Sequence, residues 1–283
     1  MKKKIIKIIQ IILIGVIIYS LYDIGTYYYA RYKAGKEFDE YKNIVSTTKA
    51  YGDEDEAPLD KDKKEVEKED VDYLKLEEED SFKKHQNDYN KIAIESLQKF
   101  KQMNQDIVSY INIPELDISY PVVHRDNDYY LLRNLQGEHS IAGTVFIEEL
   151  NKPDLSDMNT VIYGHNMSWT AIKTAKMFQP ILKYGEQDFV DSSDAHYIEM
   201  YTEKGVNRYR VFSAYYTNAY YDYRTLNKPK EEWTAYLDSM VEDSITDFGY
   251  TNYDENSKMI TLSTCDNVNV DGRFTVHAIL VED

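Results

Sequence analysis

Cys265 is the only cysteine in the 283 residues, and it closes an apolar strand-like run, TLSTC, with the polar Asp266 and Asn267 directly after it. A thiol at a strand end beside a loop lies where reactive groups tend to be displayed. With no second cysteine there is no disulfide within the chain and no multi-cysteine zinc site, so the group works as a free thiol or between chains. The plain alternative is an inert small hydrophobe. An exported chain that keeps one unpaired thiol exposes it to oxidation, which calls for a reason to retain it.

The attacking species is the thiolate, and a thiol that ordinarily titrates near about 8.5 needs a base or a cation beside it. His165 is the first candidate: it follows the apolar run TVIY through Gly164, and Asn166 comes next, so its imidazole is also delivered at a strand end. His277 is the rival, since Arg273, Thr275 and His277 alternate onto one face of the last strand-like run. His124 follows a strand and is a weaker choice, while His85, His139 and His196 lie in polar surroundings and read as surface residues. Acyl transfer also builds negative charge on a carbonyl oxygen. Arg273, eight residues past Cys265, can be folded back beside the thiol by a strand-loop-strand hairpin, where its permanently charged fork could hold that oxygen. An ordinary strand-end arginine in a surface ion pair fits the same spacing.

The elements that must position these groups are short and mostly extended. Runs such as IVSYINI, ISYPVV, GTVFI, TVIYG, HYIEMY, RYRVFSAYY, KMITLSTC and GRFTVHAILV are split by turn signals, and 27 tyrosines suit half-buried pleated surfaces. Many short strands with few helices predict a mainly β fold, a closed or nearly closed barrel. Two helices are expected within this part. In one, Tyr89, Ala93, Leu97, Phe100 and Met103 recur at three and four residues; in the other, between Pro229 and Ser244, Trp233, Tyr236, Leu237 and Met240 share a face.

Upstream, lysines followed by the apolar run from Ile5 to Tyr22 mark a membrane-inserting segment, with Tyr19, Tyr22 and Tyr27 to Tyr29 as an interfacial belt. The alternative, a cleaved secretory signal, should end in a small-x-small site, and no convincing one follows Tyr22. The lysine-rich end is expected in the cytoplasm, although Arg31, Lys33 and Lys36 lie on the far side; either reading sends the rest of the chain outside. Between Asp53 and Asp80, 15 Asp/Glu against 5 Lys carry −10 of the formal −17, which reads as a solvated spacer or exposed helix and leaves the remainder only mildly acidic. The negative balance argues against a nucleic-acid partner. The expected organisation is an anchor at 1–25, an acidic extracellular linker at 26–85 and a catalytic domain at 86–283.

Together the TLSTC strand, the GRFTVHAIL strand and the upstream YGHNM resemble the sortase family, and its class B members in particular. The resemblance runs from about Gln105 to the C-terminus and takes in DIVSYINIPELDISYPVVHRDNDYYLLRN, GTVFI, NTVIYGHNM and KMFQPILKY. Ser109-Tyr110 stands where the family often has Gly-Trp, and the helix between late strands favours class B over class A. The resemblance implies a closed sortase-type barrel that cleaves a sorting motif, NPxTx-like or related, after its Thr near the C-terminus of a secreted protein. The new carboxyl end is then held as a thioester and passed to a peptidoglycan-precursor amine or a pilin. It implies Cys265 as nucleophile, His165 as acid and then base, and Arg273 as oxyanion and positioning group, the first two active as a thiolate-imidazolium minority. Asn127, Leu131, Tyr163, Ser263, Thr264 and Asp266 would line the substrate groove, and no metal or cofactor is expected. A hydrolase on the same barrel and a catalytically idle surface scaffold are the alternatives.

Overall fold

The computed structural model describes residues 2–52, 79–167 and 177–281. Eight strands close into a barrel: β1 (Ile107–Ile113), β2 (Ile118–His124), β3 (Val145–Ile147), β4 (Asn159–Tyr163), β5 (Tyr197–Thr202), β6 (Gly205–Asn218), β7 (Met259–Cys265) and β8 (Gly272–Leu280), in the spatial order β1-β2-β3-β4-β7-β8-β6-β5. Most neighbours are antiparallel, but β2 pairs with β3 and β4 with β7 in parallel. Among the described residues, four α-helices accompany them: α1 (Lys2–Gly52), α2 (Glu79–Met103), the single turn α3 (Gln187–Val190) and α4 (Lys230–Asp243).

Strand alternation decides what faces the cleft. Ile260 and Leu262 of β7 and Phe274, Val276 and Ala278 of β8 fill the main core. The intervening residues Met259, Thr261, Ser263 and Cys265, with Arg273, Thr275, His277 and Ile279, therefore turn to the outer face. At the far end from Cys265 that face is covered by α4, whose Trp233, Tyr236, Leu237 and Met240 form a second cluster with Phe212, Tyr215, Met259 and Ile279. Toward Cys265 the cover stops, so the alternation that buries His277 leaves Cys265 half-exposed.

On the other side of the barrel, Tyr89, Ala93, Leu97 and Phe100 of α2 are buried as the periodicity predicts, with Phe100 stacked on Tyr110 at a centroid distance of 5.1 Å. Met103 departs from that face and is 45% exposed, because α2 ends there. The expected linker also needs correction at its start. Helix α1 runs unbroken through residue 25 to Gly52, and Ala34, Phe38, Tyr41 and Val45 are buried in the same core, Phe38 against Tyr120 at 4.8 Å. Their spacing of four, three and four is a helical stripe. The acidic stretch from 53 to 78 lies outside the described residues.

His196 is not a surface residue. It is 3% exposed, with Nδ1 at 2.8 Å from Glu115 Oε2 and Nε2 at 2.9 Å from the Val190 carbonyl. Burial alone would push its imidazole pKa down, but the bonds to Glu115 and Val190 outweigh that and hold it above the ordinary value. A raised folded pKa contributes stability that is complete below the unfolded value of about 6.5 and lost as pH rises through the folded one. His196→Gln is expected to cost about 1–3 kcal/mol at pH 5.5, from lost charge-assisted bonds. In denaturant melts the gap to the parent should narrow by pH 9; a gap that stays constant would remove the protonated pair from the account.

Candidate active site

The β7–β8 pairing sets Cys265 directly opposite Arg273, so the eight-residue separation does close into a hairpin with thiol and guanidinium at one rung. On the other flank of β7, β4 runs parallel, with Tyr163 beside Ser263. The pairing continues past the strand end: the Gly164 N–H donates to the Ser263 carbonyl at 3.2 Å, and Thr264 Oγ1 donates to the Gly164 carbonyl at 2.7 Å. Asn166 Nδ2 then donates to the Cys265 carbonyl at 2.8 Å, and Asn267 Nδ2 returns a bond to the Asn166 carbonyl at 3.0 Å. The loops carrying His165 and Cys265 are thus tied together on both sides. Gly164 is required by close approach, since an added Cβ would stand 2.6 Å from the Phe178 ring.

His165 and Cys265 line one cleft of about 230 Å³ together with Arg273. The imidazole Nε2–H donates to the Leu131 carbonyl at 2.7 Å, which orients the ring and leaves the lone pair on Nδ1 in the neutral form. His277 is excluded as the base. It is fully buried, 5.1 Å from the Tyr215 ring and bonded to Thr261 Oγ1 at 3.0 Å, and burial pushes its pKa down to about 3. His124 ends β2 and is not among the residues that line the cleft.

Of the groove residues expected from the sequence, Asn127, Leu131, Tyr163, Ser263 and Thr264 line this cleft. Asp266 does not. Its carboxylate turns into the β7–β8 loop, where it accepts from the backbone N–H groups of Val268 at 2.9 Å and Asn269 at 3.0 Å and from Asn269 Nδ2 at 2.8 Å. Gly272 leaves it room, because a Cβ there would fall 2.2 Å from Asp266 Oδ2. Burial pushes the Asp266 carboxyl up, but these donors, with Arg273 nearby, outweigh it and hold the pKa below the ordinary range. Its contribution is therefore present above the unfolded pKa of about 3.9 and lost as pH falls through the depressed folded value. Asp266→Asn should cost about 1 kcal/mol at pH 7, mainly as looser protection of the Val268 and Asn269 amides in hydrogen exchange. The loss should shrink as pH falls below the unfolded value and toward the depressed folded one; equal protection in both proteins at pH 7 would show the carboxylate to be dispensable.

The cleft also holds residues that the strand pattern did not single out: Thr144, Phe146, Glu148, Ala219, Tyr223 and Arg224. Glu148 is buried and accepts from Asn127 Nδ2 and from the Tyr163 hydroxyl, both at 2.7 Å. Burial would lower the pKa of Arg224, but its side-chain hydrogen bond to Tyr163 and the nearby Glu148 carboxylate outweigh that and hold it above the ordinary value. Between this polar end and the thiol, the rings of Phe146 and Tyr163, 5.2 Å apart, give an apolar stretch, and Tyr223 bonds Ser263 at 3.1 Å between hydroxyls. Glu148 follows Phe146 at the two-residue spacing of one strand face, a signal that was available. Tyr223 and Arg224 come from irregular chain before α4 and carry no local pattern.

A thiol, an imidazole and a guanidinium lining one partly apolar cleft are groups with which acyl transfer on a peptide can be carried out. The sortase-domain family model matches residues 111–281. The chain belongs to the sortase family, in its class B. It is 34% identical over 179 residues to sortase B of Listeria monocytogenes, covering 61% of this chain and 68% of that one. Among solved structures, a mutant form of Clostridium perfringens sortase B matches at TM-score 0.62 and 28% identity, over 69% of this chain and 91% of that one. A Staphylococcus aureus sortase B-substrate complex matches at TM-score 0.60 and 25% identity, over 71% and 90%. Sortase membership makes the chain a transpeptidase by family, and its eight-stranded barrel with a helix before β7 is the sortase B architecture.

Proposed function

We propose that this sortase cleaves a C-terminal sorting motif of secreted proteins after Thr, carries the acyl group as a thioester on Cys265 and transfers it to a peptidoglycan-precursor amine. The observation that supports this most is the shared rung of Cys265 and Arg273 in the cleft that His165 also lines. The Cys265 thiolate adds to the scissile carbonyl carbon, and Arg273 meets the charge that develops on its oxygen. Collapse breaks the C–N bond, and His165 gives its proton to the leaving amine. The incoming amine then adds to the thioester carbonyl, His165 takes the amine proton, and the Cys265 thiolate leaves. Asn127, Leu131, Tyr163, Ser263 and Thr264 hold the peptide, Tyr163 and Asn127 being fixed for that task by Glu148. Asp266 serves by shaping the loop between the strands of Cys265 and Arg273.

Helix α1 holds the barrel outside the membrane, with Lys2 to Lys4 on the cytoplasmic side. The test of the reaction is product analysis with a sorting-peptide library in the presence of oligoglycine or diaminopimelate. A ligated peptide is expected for one motif class; cleavage that gives only the free acid at saturating amine would make the protein a hydrolase instead.

A further inference from the structure

The part of α1 that precedes the barrel is apolar around most of its circumference, with Lys7 near one end and Asp23 near the other as its charged residues. Its Ile, Leu, Val and Tyr side chains from Ile5 to Ile24 are all half or more exposed in the protein alone, so lipid must cover them if the segment spans a bilayer as proposed above. The inference below rests on that reading. At 1.5 Å per residue these 20 residues reach about 30 Å, the thickness of the hydrocarbon layer. Exposed Tyr27, Tyr28 and Tyr29 follow at the level of the headgroups.

Among the described residues, the first hydrogen bond that α1 makes to the barrel domain beyond this point is close to His165. Arg31 is 2% exposed; its guanidinium donates to the Tyr27 hydroxyl at 2.9 Å and to the carbonyl of Met167, two residues after His165. Lys33 pairs with Glu138 at 2.8 Å, and the turn between β1 and β2 is met only at Lys42, which reaches Asp117 at 2.5 Å. Arg31 is seven residues beyond Ile24, about 10 Å along an unbroken helix, whereas the polar layer of one leaflet is about 5–8 Å deep. The His165 loop therefore lies at the outer edge of the headgroups. Asn267 ties the β7–β8 loop to the same place through Asn166, and at its tip Val268 and Val270 are 83% and 93% exposed.

We propose that the catalytic cleft opens at the membrane surface, and that Val268 and Val270 dip into the headgroup layer as a second contact with the bilayer that α1 spans. Two neighbouring branched apolar side chains left almost wholly in water have a use there that a cleft facing away from the membrane would not give them. The contact is apolar in origin, because Asp271 beside the tip and the charge of −17 oppose attraction to an anionic surface.

The test uses the full chain with Cys265→Ala, so that each label has one site, in phosphatidylcholine vesicles. An environment-sensitive fluorophore is placed by Val268→Cys, by Asp238→Cys on α4 and by Ile14→Cys in the apolar segment. The Ile14 label should be shielded from a soluble quencher, which establishes the span. The Val268 label should shift to the blue and lose most of its emission to a quencher carried on the lipid headgroup, and the Asp238 label should respond only to the soluble quencher. A shielded Ile14 label together with a Val268 label that behaves like the one at 238 overturns the proposal while leaving the span intact. An Ile14 label open to the soluble quencher removes the span and the proposal with it.

Discussion

Cys265→Ala is expected to leave a folded barrel that neither cleaves a sorting peptide nor forms an acyl-enzyme, with turnover lower by about 10⁵-fold or more. The chain has no second cysteine to substitute, and the groups that remain, His165 and Arg273, can move a proton and hold an oxyanion but cannot form the thioester. The thiol is only half-buried at a strand end, so its replacement by hydrogen should change stability by less than about 1 kcal/mol. Peptide-cleavage rates beside a thermal melt of the same samples check both halves. Retention of even a few per cent of the parent rate by a folded variant would displace Cys265 from the reaction.

His165→Gln is the second large effect, a loss of about 10²–10⁴-fold in peptide cleavage. Glutamine can still donate to the Leu131 carbonyl that His165 holds, so the variant keeps an anchor in that position while removing the titratable ring. The loss should depend on the leaving group. An amide nitrogen must be protonated before it departs, whereas an activated ester leaves as a stable anion, and with an ester in place of the scissile amide the deficit should shrink sharply. Equal deficits on amide and ester would mean that His165 orients the site without supplying the proton.

The barrel was legible because its strands carry their own signals. TLSTC and GRFTVHAIL alternate between core and outer face, and that one period both fills the barrel with Leu262, Phe274 and Val276 and turns Cys265 and Arg273 outward. It also produced a false symmetry, since His277 shares the face of Arg273 and differs only in what covers it. Phe212 and Tyr215 close over His277 at a sequence distance that no local pattern reports. His196 departs from its sequence context for a related reason: its neighbours in sequence are polar, but its partners Glu115 and Val190 arrive through the fold.

Two further features were hidden by composition. The stripe Ala34, Phe38, Tyr41 and Val45 is sparse and sits among charged residues between an apolar segment and an acidic one, so a packed helix resembled a spacer. Asp266 directly follows Cys265, and the family resemblance implies a place for it in the groove. A carboxylate has two oxygens to satisfy, and the N–H groups of Val268 and Asn269 in the tight loop that follows claim it instead. Glu148, Tyr223 and Arg224 complete the cleft from segments far apart in the chain, which only the closed barrel brings together.

The thioester on Cys265 is best tested by intact mass. The full chain is incubated with a cleavable sorting peptide and no amine, quenched in acid and weighed. A mass increase equal to the N-terminal peptide fragment less one water is expected, mapped to the peptide that contains Cys265 and discharged by hydroxylamine or oligoglycine. Continued release of the C-terminal fragment from a protein whose mass never changes, at any quench time, would contradict the account.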